Sequence, residues 1–109
     1  MSKKIEFDYE KEHYILEYNR NAIKTMEKQG FDAEAFAAKP MVMVELAFEG
    51  AFLKNHSKIT KAKVEEIYNL FSNKKELIQQ LIIMINESYE ELLEDNKEES
   101  SKNIEWKIG

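Results

Sequence analysis

The sequence predicts an α+β fold that is mainly α: an N-terminal β-hairpin packed on a bundle of about four helices, arranged around a buried central helix. A C-terminal strand is an optional third member of the sheet. Three observations carry this expectation. Apolar and polar residues alternate near the N-terminus, several later segments repeat apolar residues at helical spacing, and Pro40 to Leu53 is apolar on nearly every side.

In the first segment Ile5, Phe7 and Tyr9 alternate with Glu6 and Asp8. After the polar link Glu10-Lys11-Glu12 the alternation resumes with Tyr14, Leu16 and Tyr18. A period of two on both sides of a short link is the pattern of a hairpin with one apolar face. The link holds no Asn-Gly or Asp-Gly, so the turn type stays open. So many aromatics on one face require an apolar cover, because an isolated hairpin is barely stable in water. Asn19 can then cap a helix whose stripe is Ala22, Ile23 and Met26. Gly30 suits the left-handed residue that ends it, with Phe31 folding back over the last turn. Asp32 can cap a short turn from Ala33 to Ala38 that carries Phe36 inward.

Pro40 belongs at the first helical position, where its missing N–H is no loss and its fixed φ already fits. From there to Leu53 only Glu45 and Glu49 interrupt the apolar surface, so the segment is expected to be enclosed by the rest of the protein. Gly50 inside a helix costs up to ~1 kcal/mol relative to alanine, which points to close approach by another helix or an aromatic ring. Lys54 to Lys58 is a polar loop. Thr60 caps the next helix, with Val64, Ile67, Tyr68 and Phe71 as its stripe. Asn73 and Glu76 resemble a capping box for a last helix from Lys74 to near Glu94. That helix carries Leu77, Ile78, Leu81, Ile82, Ile85, Tyr89, Leu92 and Leu93, with Ile83 and Met84 off its main face.

The domain organisation follows: residues 1–94 form one globular unit, 95–103 an acidic linker, and 104–109 a strand-like tail in which Ile104, Trp106 and Ile108 alternate with Glu105 and Lys107. The tail either completes the chain's own hairpin or adds to the sheet of a neighbouring subunit or partner.

The chemistry the sequence lacks narrows the function classes. A net charge of −5 on 109 residues disfavours nucleic acid as a partner. The absence of cysteine excludes disulfides and thiol chemistry and fits a reducing compartment. Met1 to Glu6 has no signal-like apolar core, and the longest uncharged run, Leu77 to Asn86, is far short of the ~20 residues that cross a membrane. His13 and His56 lie far apart, so no metal site is expected, and Ser57 beside His56 does not make a triad. Three glycines cannot form a phosphate cradle. The reading is a cytoplasmic protein with no catalytic, cofactor or metal residues and no small-molecule substrate.

The alternation into Tyr14-Ile15-Leu16-Glu17-Tyr18-Asn19-Arg20, the Met26-Glu27-Lys28-Gln29-Gly30-Phe31 helix stop, the Phe48-Glu49-Gly50-Ala51-Phe52 core and Trp106 after an acidic spacer occur in an order that resembles the small tail assembly chaperones of long-tailed phages and prophages of Gram-positive bacteria. That resemblance implies a non-enzymatic protein of the bacterial host cytoplasm. It would bind the tape measure protein, keep it soluble while the tail tube polymerises, and often self-associate. The surfaces expected to meet partners are Ile83, Met84, Tyr89 and Leu92 on the last helix and Ile104, Trp106 and Ile108 in the tail. For Ile83 and Met84, packing within the chain's own core is the competing reading. An alternative of another class is a small acidic regulatory or adaptor protein that presents Glu90 to Glu99 as a decoy to a basic partner.

Overall fold

The computed structural model describes residues 3–94 and 104–109, so the expected linker 95–103 lies outside the described residues. The architecture is the predicted α+β, mainly α arrangement of one hairpin and four helices. Strands β1 (Ile5–Tyr9) and β2 (Glu12–Leu16) pair antiparallel, with Phe7 opposite Tyr14 and Ile5 opposite Leu16. Glu10 and Lys11 alone make the turn, at φ of 50° and 67°. Two successive left-handed residues give the turn geometry whose twist suits a two-residue hairpin. The usual glycine and asparagine are missing, which is why the sequence left the turn undecided.

The hairpin's apolar face is covered fully on β2 and in part on β1. Tyr14 and Leu16 are buried, while Ile5, Phe7 and Tyr9 on the outer strand are partly so. Phe7 stacks on Tyr14 at 5.1 Å and meets the edge of Phe71 at 4.9 Å; Tyr14 meets Phe52 edge-on at 6.0 Å. Edge-to-face packing of this kind adds about 0.5–1.5 kcal/mol per pair beyond the area buried. Tyr18, just past β2, is also buried, and its hydroxyl donates to the Ala47 carbonyl at 2.6 Å.

Helix α1 (Arg20–Lys28) starts where the Asn19 side chain accepts from the Ala22 N–H. It ends with Gly30 at φ 105°, the Gly30 N–H on the Glu27 carbonyl and the Phe31 N–H on the Met26 carbonyl. Those paired bonds satisfy carbonyls that the helix end would leave open. Phe31 is buried against Phe36, which follows a single 3₁₀ turn (Ala33–Ala35) capped by Asp32.

Helix α2 (Pro40–Ala51) touches α1, the 3₁₀ turn, α3 and α4. Met43, Ala47, Phe48, Gly50, Ala51 and, just beyond, Phe52 are buried. The expectation of full enclosure fails in the first turn, where Met41 is 86% exposed and Val42 53%. Met41, Glu45 and Glu49 follow one another at intervals of four, so they line one face. Two carboxylates on that line keep the face toward water, and the methionine at its head goes with them.

Helices α3 (Lys61–Leu70) and α4 (Lys74–Leu92) complete the bundle. Thr60 caps α3 through the Lys63 N–H, as its sequence predicts. Asn73 does not form the expected capping box. It sits at φ 53° and ψ 56°, and its side-chain amide donates to the Glu76 carboxylate rather than accepting a backbone N–H. Only Phe71, Ser72 and Asn73 separate the two helices, and asparagine tolerates the left-handed backbone that so short a link demands. The Lys74 ammonium meanwhile binds the Phe71 carbonyl at 2.9 Å, placing a cation at the end of α3.

Candidate protein-binding groove

The exposed start of α2 forms one wall of a groove. Pro40, Met41, Val44 and Phe48 of α2 face Val64 and Tyr68 of α3, with Ile78 of α4 also lining a volume of about 520 Å³. Each residue is there for a local reason. Val44 and Phe48 lie one turn apart on α2, and Val64 and Tyr68 one turn apart on α3. Charged and polar groups rim the apolar strip: Glu45 and Glu49 from α2, and Lys61, Glu65 and Asn69 from α3. Burial pushes the Glu49 carboxyl upward; Lys61 pulls it back and Glu45 adds to the rise. Lys74 lies 5.4 Å from the Tyr68 ring centroid, holding that ring beside the groove.

The residues that line the groove offer hydrocarbon and ring faces with carboxylates at the margin. Such a strip suits the apolar stripe of an amphipathic helix whose flanking positions are basic. Among the described residues no group of three or more His, Asp or Glu side chains could hold a metal ion.

Residues 1–109 match the family model described as Domain of unknown function (DUF5055). The chain belongs to the DUF5055 family. Comparison with curated proteins found no match. Comparison with solved structures found none either.

In this DUF5055 chain the residues expected to meet partners fall into four places. Met84 is 2% exposed and part of the core, so it is corrected from surface to interior; three apolar neighbours on α4, Leu77, Leu81 and Ile85, are buried with it. Ile83 is exposed on the outer side of α4. Tyr89 and Leu92 line a second cleft, between α1 and α4, together with Ile23, Arg20 and Lys24. The Tyr89 hydroxyl donates to Glu27 at 2.8 Å, and burial together with that carboxylate pushes its pKa up to about 12. Ile104, Trp106 and Ile108 are exposed and carry no regular structure, so among the described residues the sheet has two strands.

Sequence reading of the DUF5055 chain missed Met41, Val44, Tyr68 and Ile78 as a groove lining over the buried Val64, because the wholly apolar look of α2 hid its wet face. The four-residue spacing of Met41, Glu45 and Glu49 was the signal that could have found it. Other tempting groups have structural work. The His56 Nε2 accepts the Ile15 N–H at 3.0 Å, which places the ring proton on Nδ1. Glu17 binds Lys54 and Asn55, and both contacts hold its carboxyl below the usual range.

Proposed function

We propose that this protein is a non-catalytic binding protein of the tail assembly chaperone kind, which holds an apolar helical stripe of the tape measure protein in the α2–α3 groove and keeps that long chain soluble in the host cytoplasm. The observation that carries the reading is the groove itself: an apolar lining of Met41, Val44, Phe48, Val64, Tyr68 and Ile78, with Glu45, Glu49 and Glu65 outnumbering Lys61 beside it. A long helical partner presents apolar stripes that aggregate unless covered. A carrier with an apolar groove and a net charge of −5 supplies both cover and solubility. No helix among the described residues is long and apolar enough to cross a membrane, which accords with a carrier that works in solution. The exposed Ile83 and Leu92 of α4 extend the same role to a second stripe.

The test is co-expression with the tape measure protein and co-purification from the soluble fraction. Met41 is 86% exposed in the free protein, so replacing it leaves the fold unstrained. Burying such a side chain in a complex is worth about 1.5–3 kcal/mol, so Met41→Glu is expected to weaken binding roughly ten- to a hundred-fold. The far-UV circular dichroism should stay that of the parent. Undiminished co-purification by Met41→Glu and by Val44→Glu would remove the groove from the reading.

A further inference from the structure

The two edges of the hairpin are treated differently. On β2 the outward backbone groups are occupied: the Ile15 N–H donates to His56, the Ile15 carbonyl accepts from Asn55 at 3.1 Å, and the Glu17 N–H donates to the Ala51 carbonyl at 3.1 Å. Because Ile15 spends its groups outward, the Glu6–Ile15 pair is one of those that exchange no bonds across the hairpin, and so is Asp8–His13 two residues on. The N–H and C=O of Glu6 and Asp8 therefore point away from β2. Among the described residues no backbone partner meets them. An open row of this kind is a template for another strand.

The apolar face of the hairpin is unfinished on the same side. Tyr14 and Leu16 of β2 are buried, whereas Ile5, Phe7 and Tyr9 of β1 are only partly covered. The chain also holds a segment of matching pattern. Ile104, Trp106 and Ile108 alternate with Glu105 and Lys107 over five residues, the length of β1, and Trp106 is 79% exposed. Laid beside β1 with its apolar side inward, that segment would cover Ile5, Phe7 and Tyr9 and carry Lys107 to the face that holds Glu6 and Asp8.

The placement of the chain's own tail decides whose tail it is. Among the described residues the chain's own tail does not pair with β1: Ile104, Trp106 and Ile108 are exposed and the sheet holds two strands. A second copy offers the same open β1 edge to that unpaired tail.

We infer that the β1 edge is an interface that accepts the Ile104–Ile108 segment of a second copy of this chain as a third strand. Reciprocal exchange of two such tails closes a two-fold dimer. The surface is separate from the α2–α3 groove, so the inference stands or falls independently of the function proposed above.

Trp106 is the single tryptophan, which makes its emission a direct reporter. The experiment is sedimentation of the full chain over a dilution series with Trp106 fluorescence read on the same samples. The expected result is a mass above the monomer at high concentration, with emission moving to the red on dilution as the mass falls. Asp8→Pro removes an outward N–H and puts a ring in the strand's path. Ile108→Asp spoils the apolar side of the tail while keeping the reporter. Each should weaken association roughly ten-fold or more, about 1.4 kcal/mol. If Asp8→Pro loses its circular dichroism, Ile108→Asp decides alone. A monomer at every concentration, blue emission that ignores dilution because the tail pairs in its own sheet, or association that survives Ile108→Asp would each overturn the inference.

Discussion

Replacing Gly50 by alanine tests how closely α1 crosses α2. A Cβ built there lies closer than 3.0 Å to both Sδ and Cγ of Met26 and 3.2 Å from its Cε, whereas unstrained carbon contacts begin near 3.5 Å. Met26 is fully buried, so it has no solvent side to swing toward. Either its rotamer changes into occupied space or α1 lifts from α2. Overpacking of a filled core costs about 1–3 kcal/mol, and an overlap with two atoms at once belongs in the upper part of that range. Alanine returns about 1 kcal/mol of helix propensity. The net expectation is a loss of about 1–2 kcal/mol, which for a domain of this size lowers the melting temperature by roughly 5–15 °C.

Urea unfolding followed by far-UV circular dichroism measures the loss, since Trp106 lies outside the core. Met26→Ala alone should cost about 2–5 kcal/mol through the cavity it leaves. In the Gly50→Ala background part of that cavity is filled and the overlap is gone. The double variant should then be more stable than the sum of the singles by about 2 kcal/mol. A Gly50→Ala protein as stable as the parent, or strict additivity of the pair, would refute a close crossing at this glycine.

Two further outcomes follow from the hairpin. Lys11→Gly is expected to raise stability by about 0.5–1 kcal/mol in the same urea assay, because glycine takes the left-handed turn without the Cβ clash and Glu10 keeps its bond to Lys63. His13 is held above its ordinary pKa by hydrogen bonds to Glu6 at 3.0 Å and Asp8 at 2.7 Å, and Glu6 is held below its own by the same contact with help from Lys4. The histidine's contribution is complete below its unfolded pKa of about 6.5 and is lost as pH rises through the higher folded value. The Glu6 contribution is present above the ordinary carboxylate range and is lost as pH falls through its depressed value. His13→Gln should accordingly lower the urea midpoint near about pH 5.5 and leave it unchanged near about pH 9. An equal loss at both values would show that the ring acts by packing and not by charge.

The order and type of the elements were legible in the residues themselves, because each rests on local chemistry. Alternation from Ile5 to Tyr18, Asn19 and Thr60 at helix starts, the Gly30-Phe31 stop and Pro40 at a first turn bias the backbone within a few residues and need no distant partner. Gly50 is intermediate: its cost in a helix announced a close neighbour, but only the packed bundle made that neighbour Met26. Other features depended on more than one element. The left-handed Asn73 follows from a three-residue link between α3 and α4, and the two-residue turn at Glu10-Lys11 from the register of β1 on β2. The groove depended most on tertiary structure. Periodicity measures how apolar the sides of a helix are, but it does not say how many neighbours are available to cover them. Helix α2 has apolar residues nearly all round, and its neighbours cover its second half and Met43 but not Met41 and Val42. That shortage of cover, a property of the whole bundle, left Met41 and Val44 at the surface and placed Met84 inside, where α1–α4 and the hairpin share one core.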